Sequence, residues 1–307
     1  MSARLLRLSL LSILLSAAGA AELQSQMGGT EFGTVIVAHG GDEQWNSQVL
    51  EVAGAVNTGG PVLVSFLMGP AASTHRFQDA VDSLAKLGVG HVVVVPLLVS
   101  SHSGHYDQIR YLAGETDSLS ETMRHHLHMA GIERSRAAVR LHLTTAIDSA
   151  PQLGRVLAER AVTAAGGSLS GRAVFLVGHG PNSAEDYARW MAALRPVADS
   201  VAARTGARSV VLELVRDDAP APIRAEAVTR IRELIALQHE LTGTEVVVVP
   251  ILIADGYVSR VKLPKDLAGL PIVYRSAGVL PHDAMAEWVE SRVRTTMAKR
   301  QELGARN

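Results

Sequence analysis

The chain has 307 residues, 47% of them hydrophobic, enough for one large domain or two of ordinary size. A formal net charge of −1 supplies no global field to recruit nucleic acid or anionic membrane, and 4% aromatic content offers few platforms for stacking bases. Cysteine is absent, which removes disulfides, thiolate metal sites and cysteine nucleophiles together. Any metal must be held by His, Asp, Glu or backbone.

Residues 1–21 read as a signal peptide. Arg4 and Arg7 form a basic region, an apolar run follows over 8–15, and Ala18-Gly19-Ala20-Ala21 supplies small residues for cleavage. The run is too short to span a bilayer comfortably. The expectation is an exported protein, periplasmic or secreted, with no stable membrane insertion once the leader is removed.

Past the leader, apolar runs alternate with amphipathic stretches, the pattern of βαβ units and a parallel sheet. In chain order, strands are predicted at 34–38, 62–66, 91–98 and 139–143, then at 173–177, 209–214, 245–253 and 271–274. Helices are predicted over 76–87, 118–130, 151–165, 184–205, 223–242 and 282–299. The strands are rich in Val, Ile and Leu without alternation, as expected where both faces of a sheet are covered.

The second set repeats the first. Val35-Ile-Val-Ala-His39-Gly40 corresponds to Phe175-Leu-Val-Gly-His179-Gly180, and His91-Val-Val-Val-Val-Pro96 to Glu245-Val-Val-Val-Val-Pro250. Ala158-Glu159-Arg160 lies opposite Glu290-Ser291-Arg292. Three matches in one order indicate a duplication, with lobes at 30–165 and 171–297 joined through Ala165-Gly166-Gly167-Ser168. The predicted fold is α/β: two tandem doubly wound parallel-sheet lobes with a cleft between them.

Ligands of open parallel sheets bind beyond the carboxyl ends of the strands. His39 ends the first strand, and the loop after the third reads Ser100-Ser101-His102-Ser103-Gly104-His105. Three imidazoles thus gather at one predicted edge. Imidazole suits a borderline divalent cation and proton transfer near neutrality. The cluster His125-His126-His128 reads instead as a solvated helix face, and His75, His91, His142 and His239 as surface or strand-edge residues. His282, at a helix start, is a weaker cleft candidate. No nucleophile elbow, Walker loop or dinucleotide fingerprint is present, so no nucleotide is expected.

These residues bring a family into view. Val37-Ala38-His39-Gly40, the run from Phe77-Gln78-Asp79-Ala80 through Leu87-Gly88 to Val95-Pro96, Asp107-Gln108-Ile109, and the helix from Pro151 to Arg160 resemble the CbiX/CbiK group of sirohydrochlorin chelatases. These are ferrochelatase relatives in the class II chelatase superfamily. The resemblance covers nearly everything after the leader. It implies insertion of a divalent metal into a tetrapyrrole ring, with cobalt the first expectation and iron, nickel or zinc behind it.

It further implies two metal-facing histidines. His39 is the first, and His102 or His105 the second, with a slight preference for His102 as closer to the strand end. His39, His102 and His105 are therefore the expected catalytic and metal residues. Asp107, Arg110, Asp255 and His179 are the expected substrate contacts. In the second lobe, Val258 stands where a histidine is expected, so that lobe reads as a degenerate, supporting half. The alternative is a non-catalytic periplasmic protein of the same fold that binds metal or haem.

Overall fold

A computed structural model describes residues 31–304. The predicted leader lies outside them. The first half runs β1 (Phe32–Ala38), α1 (Glu43–Ala55), β2 (Val62–Phe66), a 3-10 turn (Pro70–Ser73), α2 (Phe77–Lys86), β3 (His91–Leu97), α3 (Gly104–Leu112), α4 (Glu121–Met129), β4 (Arg140–Leu143) and α5 (Pro151–Ala165). The second runs β5 (Ala173–Gly178), α6 (Ala184–Thr205), β6 (Ser209–Leu214), α7 (Ala221–Thr242), β7 (Val246–Ile251), a π turn (Val258–Lys262), α8 (Leu263–Asp266), β8 (Ile272–Tyr274) and α9 (Asp283–Gly304). Among the described residues no helix is long and apolar enough to cross a membrane.

Each half forms a four-stranded parallel sheet, ordered β2-β1-β3-β4 and β6-β5-β7-β8, so the predicted two-lobed α/β architecture is what the chain adopts. The unalternated strands are covered on both faces, as their composition demands: Val35 to Ala38, Val92 to Val95 and Ala173 to Val177 are fully buried. The duplication extends to register. Val37 pairs with Pro96 in the first sheet and Val177 with Pro250 in the second. Proline cannot donate to a ladder, so both prolines stand where the central strands are about to part.

Two features escaped the sequence pattern. The segments 43–55 and 104–112 are helices not among those predicted. Both are announced by caps rather than by apolar periodicity: Asp42 accepts from Trp45 N–H and Ser103 from Tyr106 N–H. The lobes also exchange their closing helices. α5 packs on α6 and β7 of the second half, while α9 packs on α1 and β3 of the first. Gly154 permits this approach, because a Cβ there would lie 2.5 Å from Ser200 Oγ.

Polar contacts join the facing edges. Gln48 and the Asp255 peptide bond each other twice, at 3.1 and 3.0 Å. Arg260 reaches Asp42 at 2.7 Å, and Trp190 Nε1–H donates to the His102 carbonyl at 2.6 Å. The loops beyond the carboxyl ends of both central strand pairs therefore face one another.

Candidate metal centre in the cleft

His39 follows β1 and is held by the glycine after it. Gly40 sits at φ +89, and a Cβ there would approach Met68 O to 2.2 Å, so only glycine fits this turn. The His39 ring gives its Nδ1–H to the Gly40 carbonyl at 2.6 Å. Asn46 fixes the next peptide from both sides, accepting from Gly41 N–H at 2.9 Å and donating to Gly41 O at 3.1 Å.

His105 lies on the first turn of α3, not on a loop. Its Nδ1–H goes to Gln108 Oε1 at 2.8 Å, and Gln108, fully buried, spends its own amide N–H on Met123 O at 2.8 Å. That second bond fixes which way the amide faces. The His39 and His105 rings meet edge to face, centroids 4.5 Å apart at 85°. Since each Nδ1 donates to an oxygen that can only accept, each ring presents a bare Nε2. This is the tautomer that ligates metal, oriented by a carbonyl-type partner as metal-binding histidines commonly are.

Burial lowers the pKa of both rings. For His105, burial first and then the neighbouring His39 bring it to about 4. For His39, burial outweighs the Gly40 hydrogen bond that would raise it. Burial therefore favours the neutral form of both rings, with the lone pair free, and keeps His105 neutral down to about pH 4. Of the two alternatives the sequence left open, the ring beside His39 is that of His105. His102 precedes the helix, its N–H bonded to Ser100 Oγ at 3.1 Å and its carbonyl taken by Trp190. Ser103 starts a helix that carries the His105 ring back beside His39.

The expected substrate residues fare unevenly. Asp107 and Arg110 pair with each other at 3.5 Å on α3, with Glu115 3.7 Å from Arg110. Asp255 accepts from Ser259 Oγ at 2.6 Å and from Ser276, both on Oδ1, and so braces its loop. His179, read as the remnant of a decayed site, is not alone. Its Nδ1–H donates to Gly180 O at 3.0 Å, repeating the His39 arrangement, and its Nε2 lies 3.5 Å from Asp218 and 3.9 Å from Asp217.

Two further groups were missed. His126 was grouped with His125 and His128 as solvated. His125 and His128 are indeed exposed, but His126 Nδ1 is buried without a partner among the described residues, and the charge of His126 bears on both His39 and His105. The signal was spacing: Met123, three residues earlier, packs on Gly104 and accepts from Gln108, so the same face of α4 continues into His126. Asp217 and Asp218 stand at the carboxyl end of β6, where the strand-end rule already pointed. It was applied to histidines alone.

Known proteins share the fold. Residues 33–164 match the CbiX family model. No curated protein sequence is similar enough to match the chain. Among solved structures, SirB from Bacillus subtilis with Fe3+ is similar with TM-score 0.59 and 18% identity, over 89% of this chain and 98% of that one. The sirohydrochlorin chelatase SirB from Bacillus subtilis subspecies spizizenii in complex with cobalt gives 0.54 and 17%, over 87% and 95%. DR2241 from Deinococcus radiodurans, a multi-domain protein with structural similarity to chelatases, gives 0.54 and 18%, over 86% of this chain and 55% of that one. The resemblance read from the motifs is borne out to this extent: residues 33–164 match the CbiX family model, and the chain shares the two-lobed fold of these chelatase structures.

Proposed function

We propose that this chain, a class II chelatase-fold protein with a CbiX-type first lobe, inserts a divalent metal into a tetrapyrrole, with sirohydrochlorin the first candidate ring. The observation that carries the reading is the His39–His105 pair, two adjacent imidazoles with Nδ1 tied down and Nε2 left to bind, beyond the carboxyl ends of the central strands. Such a pair takes a borderline ion and keeps open positions for water and ring nitrogens. Cobalt is the preferred ion, with iron, nickel and zinc behind it. The similar structures hold cobalt in one case and Fe3+ in another, which supports a site tolerant of both. The leader-like residues 1–21 support action in the periplasm or outside the cell.

A second reading has one observation in its favour. Met68 N–H donates to His39 O at 2.8 Å, and Asp217 N–H to His179 O at 3.3 Å, so the two residues hold equivalent places. The first lobe thus has a thioether where the second has a carboxylate. A site short of a proton acceptor would bind a metal or a metallated ring without turning over. The test is a spectrophotometric insertion assay with sirohydrochlorin and Co2+, Fe2+, Ni2+ or Zn2+. Multiple turnovers above background, abolished by His39→Ala and by His105→Ala, are expected. A stoichiometric spectral shift without turnover would replace the enzyme with the binding protein.

A further inference from the structure

Among the described residues, one group already brings three metal-ligating side chains together, and it lies in the second lobe. One ligating atom each from His179, Asp217 and Asp218 falls within 4.8 Å of the others. The arrangement is built. Gly180, at φ +77, makes the same turn as Gly40, and the Gly180 carbonyl ties His179 Nδ1 so that Nε2 faces the two carboxylates.

The carboxylates divide the work. Asp217, its side chain 1% exposed, is anchored by Lys262 Nζ at 2.6 Å and Arg224 Nε at 3.0 Å. Burial pushes its carboxyl up, but these two hydrogen bonds hold it below the usual carboxylate range. It is a fixed anion behind the site. Asp218, its side chain 66% exposed, has no Lys or Arg partner among the described residues and lies 3.5 Å from His179 Nε2. An imidazole nitrogen and a free carboxylate, backed by a buried anion, form a nitrogen–oxygen donor set for a borderline divalent ion, with water completing the shell. The group also belongs to the cleft, since the charges of His179 and Asp218 both bear on His39.

We infer that the second lobe holds a divalent cation of its own, bound by His179 Nε2 and the Asp218 carboxylate, across the cleft from the His39–His105 pair. The chain then carries two metal stations, one of two imidazoles and one of an imidazole with a carboxylate. The inference rests on the cleft being a metal-handling site, but on different residues from those of the proposed function, so the two can fail separately.

The test is titration of the purified metal-free protein with Co2+ alone, followed by calorimetry and by cobalt d–d absorption. The wild type is expected to bind two Co2+ per chain. His179→Ala and Asp218→Asn should each bind one, with unchanged circular dichroism. The His39→Ala/His105→Ala double variant should also bind one, retaining the spectrum of the second station. Uptake of a single Co2+ that survives His179→Ala and Asp218→Asn would overturn the inference while leaving the first lobe's role intact. A single Co2+ that survives the double variant but is lost in His179→Ala would do the reverse.

Discussion

The two His-Gly turns begin alike and diverge one strand away. Each places a histidine after the first strand of its sheet, ties Nδ1 to the next carbonyl and turns on a glycine at positive φ. In the first lobe the partner comes from the helix after β3, and it is His105. In the second it comes from the end of β6, and it is a carboxylate. Copies of one scaffold can keep the held ring and change its neighbour, and the two lobes here do so. The loop Asp255 to Lys262 has instead been spent on bracing: Asp255 on Ser259 and Ser276, Arg260 on Asp42 of the facing lobe, Lys262 on Asp217.

Substitutions can separate the lobes. His39→Ala or His105→Ala should lower metal insertion at least about 100-fold, more than loss of an orienting partner would, whereas His179→Ala should lower it less than about 10-fold. Equal losses at His39 and His179 in a turnover assay would erase the functional distinction. Gln108→Leu probes the orienting partner itself. It frees the His105 ring and strands Met123 O, so Co2+ affinity should fall about 10- to 100-fold, with a thermal unfolding cost of about 1–3 kcal/mol. Unchanged affinity would show that the ring is oriented by something else.

The turns should differ in tolerance. Gly40→Ala puts a Cβ 2.2 Å from a backbone oxygen, while Gly180→Ala meets Leu214 Cβ at 2.8 Å. Denaturant unfolding should find Gly40→Ala the costlier by about 1–2 kcal/mol. A reversed order would mean that the second turn is the more rigid.

Acid sharpens the contrast. His105 stays neutral in the fold down to about pH 4, whereas in the unfolded chain it protonates near its ordinary value of 6.5. Between those values the unfolded state binds more protons, so the stability tied to neutral His105 is complete above pH 6.5 and is lost as pH falls through 4. The loss should reach about 1–2 kcal/mol, given the partial exposure of the ring. His105→Asn should flatten the stability curve in that window, and an unchanged slope would assign the acid sensitivity elsewhere. The smallest effect belongs to α4. His126→Ala should weaken Co2+ binding a few-fold, about 0.5–1 kcal/mol, while the pair His125→Ala/His128→Ala should leave it unchanged.

The sheets were legible because both halves advertise themselves through unalternated Val-rich runs and repeated prolines at 96 and 250. His39 was legible for the same reason, since a His-Gly at a strand end needs no tertiary knowledge. The rest depends on helices too short and polar to show a period. Ser103 starts α3 and so brings His105 rather than His102 beside His39, and the packing of Met123 on Gly104 sets which face of α4 carries His126. The exchange of α5 and α9 between lobes left no trace in the pattern either, because an amphipathic helix does not say whose sheet it covers.

The most direct test is an anomalous difference map from crystals soaked in Co2+. The account predicts a peak within ligand distance, about 2.1 Å, of both His39 Nε2 and His105 Nε2, with a second beside His179 Nε2 and Asp218. A map with cobalt bound in the cleft but away from the His39–His105 pair would contradict the central claim.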